Sequence, residues 1–201
     1  MRLTEKEANT RDQYNKNASE WLKYSGGEKR PCFWSAEMKD FVSYLSGSTV
    51  LDLGAGPATD SSYLREFGLD VISTDYSRSM LGIAHSLDPK LNLVESNTYL
   101  SPFKNNSFDG VWFCASLLHL ENPNLAMLEV KRLLKEKGIC FVSVKQGTGD
   151  KVDPKTGYYF KYFLDEELQH LFGLTGFDIL KSQSREGTVG HPWLTYQLIK
   201  P

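Results

Sequence analysis

The sequence has few cysteines, no excess of positive charge and no long apolar segment. Its 201 residues include three cysteines, and Lys and Arg total 23 against 25 for Asp and Glu, which gives a formal net charge of -2. An odd set of widely spaced cysteines makes neither a disulfide framework nor a zinc site, and it agrees with a reducing compartment. The nearly balanced charge disfavours long-range attraction to a nucleic-acid backbone. No apolar run approaches the roughly 20 residues of a membrane-spanning helix.

The N-terminus lacks the apolar segment of a secretory signal, so we expect a cytoplasmic protein. The chain shows no internal repeat, no low-complexity segment and no carboxylate cluster with the spacing of a divalent-metal site. A chain of 201 residues with 40% hydrophobic residues is most simply one domain over residues 1–201. Within it, residues 1–48 are expected to form an N-terminal helical cap, either over a pocket or in plain packing.

Five short runs rich in Val, Ile, Leu and Phe are mostly separated by segments of helical period: residues 49–54, 70–75, 91–95, 109–115 and 139–145. A strand-helix-strand rhythm predicts parallel strands with helices on both faces. Two further runs, Phe177–Ser182 and Trp193–Ile199, predict a hairpin with a turn near Gly187 and Gly190. The predicted fold class is therefore α/β, with a doubly wound, mostly parallel seven-stranded sheet and a C-terminal antiparallel hairpin.

The helix between the fourth and fifth strands has the clearest local signals. Asn122 suits its N-cap, Pro123 suits its first position, and Gly138 is expected to end it. Four of its leucines are expected to lie close to one face: Leu125, Leu128, Leu133 and Leu134. Gly47 and Gly68 are each expected to take the left-handed turn after a helix, which returns the chain to a strand.

The most informative segment runs from Asp52 through Gly54 and Gly56, where the first strand ends and a helix begins. Two closely spaced glycines let the backbone approach a ligand, because a side chain at either would fill that space. Asp75 ends the next strand, where a carboxylate can accept hydrogen bonds from both ribose hydroxyls. The alternative is an exposed turn Asp ahead of a helix-capping Ser77. The combination predicts a nucleoside-binding site.

These residues resemble the class I S-adenosylmethionine-dependent methyltransferases, in the group similar to ubiquinone-biosynthesis and small-molecule methyltransferases. The likeness covers about Tyr14 to Phe177. It implies a Rossmann-like methyltransferase fold, S-adenosylmethionine (SAM) as cofactor, Asp52–Gly56 around its methionine part and Asp75 on its ribose. Tyr76 is then implied to pack on the adenine. The cofactor-binding residues implied by the resemblance are Tyr14, Asp52, Gly54, Ala55, Gly56, Asp75, Tyr76, Asn97, Thr98 and Ala115.

A second stretch, residues 95–109, resembles the family segment in which an Asp binds the adenine amino group shortly before Leu-Pro-Phe. Asn97 stands at that position, where its side-chain carbonyl can still accept from the amino group but carries no charge. Ser101 replaces the usual Leu before Pro102. The alternative is that the stretch is simply a polar loop.

Methyl transfer from a sulfonium depends mainly on alignment and a desolvated pocket, and a base is needed only when the acceptor must lose a proton. His119, after the fourth strand, is the candidate base, and the alternative is a packed or helix-capping histidine. The loop of residues 145–151 leads into the aromatic segment 157–163. This region predicts either a lid or acceptor wall beside Tyr14 and Trp34 or an ordinary strand packed on the core.

The function predicted from the motif and the resemblance is SAM-dependent methyl transfer to a small-molecule acceptor. No metal, nucleic-acid or membrane partner is expected. Three alternatives stay open: an NAD-dependent oxidoreductase, a SAM-binding module without turnover, and an RNA methyltransferase. Gly-x-Gly with a ribose-binding acid also serves NAD, although Asp52 and the predicted hairpin weigh against that alternative. The charge and the lack of an appended RNA-binding domain disfavour the RNA enzyme.

Overall fold

The computed structural model describes residues 2–25, 32–187 and 191–201. The helices are α1 Glu5–Ser25, α2 Ser35–Tyr44, α3 Thr59–Glu66, α4 Arg78–Leu87, α5 Pro123–Leu133 and α6 Asp165–Thr175, with a 3-10 turn at Leu117–His119. The strands are β1 Thr49–Leu53, β2 Asp70–Asp75, β3 Asn92–Glu95, β4 Phe108–Cys114, β5 Leu134–Lys145, β6 Asp150–Val152, β7 Tyr159–Lys161, β8 Asp178–Arg185 and β9 Trp193–Ile199.

Seven strands form one sheet in the order β3-β2-β1-β4-β5-β9-β8. The pairs from β3 to β5 are parallel, and β9 is antiparallel to both β5 and β8. This confirms the predicted fold class, including the C-terminal hairpin. Its predicted turn residue Gly190 lies outside the described residues. Strands β6 and β7 form a separate two-stranded ribbon between β5 and α6.

The sheet is covered on both faces because its strands alternate apolar side chains between them. On one face, Val50 of β1 packs with α2 and α3, and Trp112 stacks on Phe141 with ring centroids 3.9 Å apart. On the other face, Leu51 and Val111 belong to the core that α5 and α6 complete. The helices therefore hold the strand ends in place, and the carboxyl ends of the parallel strands meet at one edge.

The buried face of α5 differs from the predicted leucine stripe. Leu125 and Leu128 are 39% and 48% exposed, so that part of the prediction is wrong. The buried residues are Ala126, Met127, Glu129, Val130 and Leu133. Asn122 occupies the N-cap and Pro123 begins the helix, but the Asn122 side chain makes no capping hydrogen bond.

Gly138 does not end α5, because the helix finishes at Leu133 and runs directly into β5, where Gly138 is an interior residue. The left-handed residue there is Lys137, at φ 63°. Gly68 takes the expected left-handed conformation at φ 82°. Gly47 does not. A Cβ there would lie 2.4 Å from the Asp109 carboxyl carbon, so the glycine serves close approach instead.

Helix α1 packs against α4 and β7. The Asn15 side-chain oxygen accepts hydrogen bonds from the Ser77 hydroxyl at 2.8 Å and the Ser79 amide at 3.1 Å, which ties α1 to the start of α4. These contacts place α1 beside the edge where the parallel strands end. Among the described residues, no helix is both long and apolar enough to cross a bilayer.

Candidate functional site

A cavity of about 640 Å³ lies at the carboxyl edge of the sheet, where ligands bind in open α/β folds. Its walls come from α1, from residues that end or follow β1, β2, β3 and β4, from the last residue of β5, from the segment of the β6–β7 ribbon and from the start of β9. One end lies toward β2 and β3, and the other lies toward β5 and β9. We call the first the glycine end, formed by Gly54, Gly56, Asp75, Tyr76 and Thr98. We call the second the aromatic end, formed by Trp34, Lys145, Tyr158, Phe160 and Trp193.

The turn after β1 is held by backbone hydrogen bonds. The amides of Gly54 and Ala55 both donate to the Thr74 carbonyl at 2.8 Å. Gly54 has φ 74°, and a Cβ there would lie 2.0 Å from the Ser116 hydroxyl oxygen, so only glycine fits. Gly56 has φ 55°, and a Cβ there would meet nothing within 4 Å. The turn is therefore closed on its protein side and open on its cavity side.

Asp75 faces this turn from the end of β2. One carboxylate oxygen accepts the Gly56 amide at 2.8 Å, and the other accepts the Ser77 amide at 2.7 Å. Burial raises the pKa of Asp75, and these two amides oppose the rise. The Ser77 hydroxyl also caps α4 by accepting the Met80 amide at 3.2 Å. Asp75 thus precedes a capping serine, as the alternative supposed, but it is half-buried and lines the cavity.

Asp52 lies beneath the turn rather than on the cavity wall. It is 2% exposed and accepts the Ser61 hydroxyl at 2.5 Å. Burial raises the pKa of Asp52 to about 8, with further contributions from the negative charges of Asp60 and Asp75. Asp52 therefore supports the base of the turn, and the Ser61 hydroxyl that it holds also bonds the Ser73 hydroxyl at 2.7 Å.

The remaining residues predicted at the glycine end are partly on the cavity wall. Tyr76 and Thr98 line it, and the Arg11 guanidinium stands 5.2 Å from the centre of the Tyr76 ring. Asn97 is not on the wall, and its side-chain oxygen accepts the Tyr99 amide at 2.9 Å. Ala115 lines the cavity from the end of β4 with a left-handed backbone, at φ 50°.

His119 and Tyr14 meet in the middle of the cavity. The Tyr14 hydroxyl lies 3.0 Å from His119 Nε2, and His119 Nδ1 lies 2.7 Å from the Tyr159 carbonyl oxygen. Because a carbonyl only accepts, Nδ1 carries the proton, and Nε2 accepts from Tyr14 in a neutral ring. Burial lowers the pKa of His119 to about 4, and the positive charge of Lys145 adds to the effect. Burial also raises the pKa of Tyr14, so the hydroxyl keeps its proton.

The aromatic segment after β5 both lines the cavity and packs on the protein. The Tyr158 ring stacks on Tyr14 with centroids 4.2 Å apart and planes 9° apart, and Phe160 lies on the same cavity wall. Tyr159 points the other way and is buried. Its amide donates to the Thr10 hydroxyl at 2.9 Å. Alternate residues of β7 therefore line the cavity and pack on α1.

Several cavity residues were not anticipated from the sequence. They include Leu3, ahead of α1, and three residues of α1 on the same face as the predicted Tyr14: Glu7, Thr10 and Arg11. Their spacing of three and four residues was the available signal, since such positions share a helix face. Asp60, at the start of α3, accepts the Trp112 indole N–H at 2.8 Å, and burial raises the pKa of its carboxyl. Trp193 reaches the cavity from β9.

The cysteines are free thiols. Cys140 is fully buried, whereas Cys114 is half-buried and lines the cavity. Across residues 2–25, 32–187 and 191–201, no group of three or more His, Cys, Asp or Glu side chains is arranged to hold a metal ion.

Residues 51–142 match the family model described as a methyltransferase domain. Within this range the chain is similar to methyltransferase domains. The matched residues include the glycine turn, Asp75 and strands β2 to β4, together with β1 from Leu51 onward.

Two curated methyltransferases share about a third of their matched residues with the chain. A demethylmenaquinone methyltransferase from Renibacterium salmoninarum is 32% identical over 110 residues, which is 55% of this chain and 46% of that protein. A sarcosine/dimethylglycine N-methyltransferase from Aphanothece halophytica is 32% identical over 104 residues, which is 48% of this chain and 37% of that protein. The chain thus spans less than half the length of these relatives.

A solved structure extends the likeness in fold beyond the matched domain. The 1,6-didemethyltoxoflavin-N1-methyltransferase of Burkholderia thailandensis, with bound S-adenosylhomocysteine, has a TM-score of 0.78 and 20% identity. The match covers 96% of this chain and 88% of that protein. The fold shared with that structure therefore extends beyond residues 51–142 to α1 and the C-terminal hairpin.

Proposed function

We propose that this chain binds SAM and transfers its methyl group to a small-molecule acceptor. The observation that carries the proposal is the Asp75 carboxylate at the end of β2, oriented by the amides of Gly56 and Ser77 beside the glycine turn. A carboxylate in this position of a doubly wound sheet pairs with the two hydroxyls of a ribose. The placement of the methyltransferase domain over the same residues supports it.

The glycine end has the space and the donor-acceptor chemistry for a nucleoside. Gly56 lines the cavity, and its open side would admit a ligand against the backbone. Each oxygen of Asp75 keeps lone-pair capacity beyond its one amide bond. The cavity volume of about 640 Å³ falls within the usual range of ligand sites, about 300–1,000 Å³. The residues present therefore fit SAM.

We assign the cofactor contacts as follows. Asp75 would hold the ribose and Tyr76 would pack on the adenine. Asn97, which lies off the cavity wall and accepts the Tyr99 amide, would act on the adenine only through the loop that carries Thr98. Asp52, buried below the turn, would act as a positioning residue for the segment around the methionine part. The proposed cofactor wall also includes Tyr14, Gly54, Ala55, Gly56, Thr98 and Ala115.

Bound SAM supplies a methyl group on a positively charged sulfur, which is open to in-line displacement. The protein then has to align the acceptor and exclude water. Helix α1 and the β6–β7 ribbon meet over the cavity through the stacked rings of Tyr14 and Tyr158. We therefore propose that residues 1–48 act as a cap over the acceptor, within one domain.

The His119–Tyr14 pair gives the site a route for a proton. The neutral His119 ring has its unprotonated Nε2 engaged by the Tyr14 hydroxyl. A hydroxyl both donates and accepts, so Tyr14 can take a proton from an acceptor while its own proton passes to Nε2. An acceptor that loses no proton, such as a tertiary amine, has no need of the pair.

The matched proteins do not share an acceptor. Their names refer to demethylmenaquinone, sarcosine or dimethylglycine, and 1,6-didemethyltoxoflavin. All four are small molecules, and the net charge of -2 favours a small acceptor over a nucleic acid. The acceptor of this chain has to be inferred from its own cavity.

Calorimetric titration with SAM, S-adenosylhomocysteine (SAH) and NAD, at matched salt, tests the cofactor. We expect binding of the two sulfur nucleosides with micromolar Kd and none of NAD. Binding of NAD alone would overturn the proposal. Turnover is then measured as SAH release from SAM over a panel of naphthoquinols, secondary amines and phenols. Tight SAM binding without SAH release on any panel member would favour a binding module.

A further inference from the structure

Lys145 stands at the last position of β5, directly opposite Trp193 of β9 in the antiparallel register. Its side chain is half-buried and lines the aromatic end of the cavity. The ammonium nitrogen lies 4.2 Å from the centre of the Phe160 ring and 5.9 Å from the centre of the Trp193 ring. Two aromatic faces therefore hold the cation inside the cavity rather than in solvent.

The ammonium lacks the anionic partner that a half-buried cation usually has. Among the described residues, no carboxylate lies within 4.0 Å of Lys145 Nζ, and no group is hydrogen-bonded to it. Asp153 attracts it from a greater distance, and Lys151 repels it. Burial lowers the pKa of Lys145, and the repulsion from Lys151 acts in the same direction. An anion brought next to Nζ would relieve both effects.

The other charged groups of the cavity wall, unlike Lys145, are paired within the protein. Each of the others has a hydrogen-bond or ion-pair partner within the protein: Glu7, Arg11, Asp60 and Asp75. The donors of Lys145 are therefore available to a ligand. Its neighbours on the wall are flat rings, so a ligand that reaches Nζ also meets aromatic surface.

We propose that Lys145 is a specificity-determining residue that selects an aromatic acceptor carrying an anionic oxygen, either a carboxylate or a phenolate. The acceptor ring lies against Phe160 and Trp193, and Nζ donates a hydrogen bond to the anionic oxygen. This rests on the proposed function, because it takes the glycine end to be filled by SAM. Asp75 and Lys145 end strands three positions apart in the sheet, a separation of about 14 Å at strand spacing, which puts Lys145 at the opposite end from the ribose site.

The test is calorimetric titration of the SAH-saturated protein with matched pairs of probes. 2-Naphthoate is compared with 2-naphthamide, and 4-nitrophenolate with 4-nitroanisole, so that charge changes while the ring is kept. We expect the wild type to prefer at least one anion over its neutral partner by about tenfold or more. The pair that shows the preference distinguishes a carboxylate acceptor from a phenolate acceptor.

Four variants assign the preference to Lys145. In K145M and K145Q the preference for the anion is expected to fall to about twofold or less. K145R is expected to keep the preference. In all three variants the SAH affinity is expected to stay within about twofold of the wild type. K151M is the matched control, because Lys151 is an exposed neighbouring lysine outside the cavity wall, and the preference is expected to survive there.

Three outcomes would overturn the role of Lys145. They are equal binding of anions and neutral partners, no anion binding below about 1 mM, and a preference that persists in K145M. A large loss of SAH affinity in K145M would instead assign the ammonium to the cofactor. Failure of the wild type to bind SAH at all would overturn the proposed function, which separates that failure from the others.

Discussion

The two ends of the cavity are built in different ways. The glycine end consists of the turn after β1 and of residues that end or follow β2 and β3, with Asp75 as its carboxylate, and the amides of Gly54 and Gly56 are bonded within the protein. The aromatic end consists of side chains from the residue ahead of α2, from the end of β5, from residues 158–160 and from β9, which meet only in the folded chain. Backbone groups from neighbouring segments keep one binding geometry, so they suit one kind of ligand. Side chains from distant segments can each be replaced, so the ligand that they bind can change. We infer that the glycine end holds the constant reactant and that the aromatic end determines the acceptor.

The largest effect on SAH affinity is expected at Asp75. Replacement by Ala removes both carboxylate oxygens that would accept from the ribose, so we expect a loss of about 100-fold or more. Asp75→Asn keeps one acceptor oxygen and nearly the same shape, and a smaller loss of about tenfold is expected. Calorimetric titration of both variants with SAH measures the two losses of affinity. Unchanged SAH affinity in Asp75→Ala would show that Asp75 does not bind the ribose. The glycine end would then no longer be assigned to the cofactor.

A smaller loss is expected at Gly56, where the substitution tests the open side of the turn. Gly56→Ala adds a methyl group into space that no protein atom occupies, so we expect SAH affinity to fall by about tenfold or more. The left-handed backbone at φ 55° should lower the free energy of unfolding by only about 1–2 kcal/mol.

Gly54→Ala is the contrasting variant. Its Cβ would lie 2.0 Å from the Ser116 hydroxyl oxygen, so it is expected to destabilise the fold by more than about 2 kcal/mol in urea titrations. If Gly56→Ala bound SAH as tightly as the wild type, the cofactor would not lie against this glycine.

The same difference between the ends explains what could be predicted from the sequence. Gly54, Gly56 and Asp75 were recognisable because the strand-turn-helix motif and the end of the next strand are sequence-local. Trp193 was not recognisable as a cavity residue, since it faces Lys145 only after β9 has paired with β5. The face of α1 toward the cavity had a readable period, but no local signal says what a polar helix face will contact.

The fold followed the same rule. Strands β1 to β4 were predicted nearly at their observed bounds because short apolar runs mark them, most clearly in β1 and β4, which are buried on both faces. The start of β5 was placed at residue 139 instead of Leu134, because α5 passes into the strand without a glycine or proline to mark the change. The stripe of leucines on α5 failed because Leu125 and Leu128 lie on the exposed face, while smaller or more flexible Ala126 and Met127 fill the core.

The His119–Tyr14 pair lies between the two ends of the cavity. The pH dependence of stability tests its protonation state more directly than the loss of activity in a variant does. The pKa of His119 is lowered to about 4, so the folded state binds this proton less well than the unfolded state does. The contribution of His119 to stability is therefore complete above about pH 6.5 and is lost as the pH falls toward 4. In urea titrations between about pH 6.5 and 4, the free energy of unfolding should fall less in His119→Asn than in the wild type, by about 1–3 kcal/mol.

Tyr14→Phe is the companion variant, because it keeps the ring stack on Tyr158 and removes only the hydroxyl that occupies Nε2. We expect the His119 titration, followed by NMR, to move toward higher pH. SAH affinity should fall by no more than about threefold, since the hydroxyl is engaged by His119. A wild-type His119 that titrates at its ordinary value would contradict the buried neutral ring.

The smallest effect on SAH affinity is expected where α1 joins the aromatic end through β7. Thr10 is 4% exposed, and its hydroxyl accepts the Tyr159 amide at 2.9 Å, so Thr10→Val leaves a buried N–H without an acceptor. We expect the free energy of unfolding to fall by about 1–3 kcal/mol.

Asn9→Ala is the control. It removes the 2.9 Å hydrogen bond from the Asn9 side chain to the Gly157 carbonyl and should lower the free energy of unfolding by no more than about 0.5 kcal/mol. Both variants should bind SAH as the wild type does, because neither touches the glycine end. A Thr10→Val variant that lost SAH affinity as well as stability would show that α1 organises both ends of the cavity together, and the cap would then belong to the cofactor site as much as to the acceptor site.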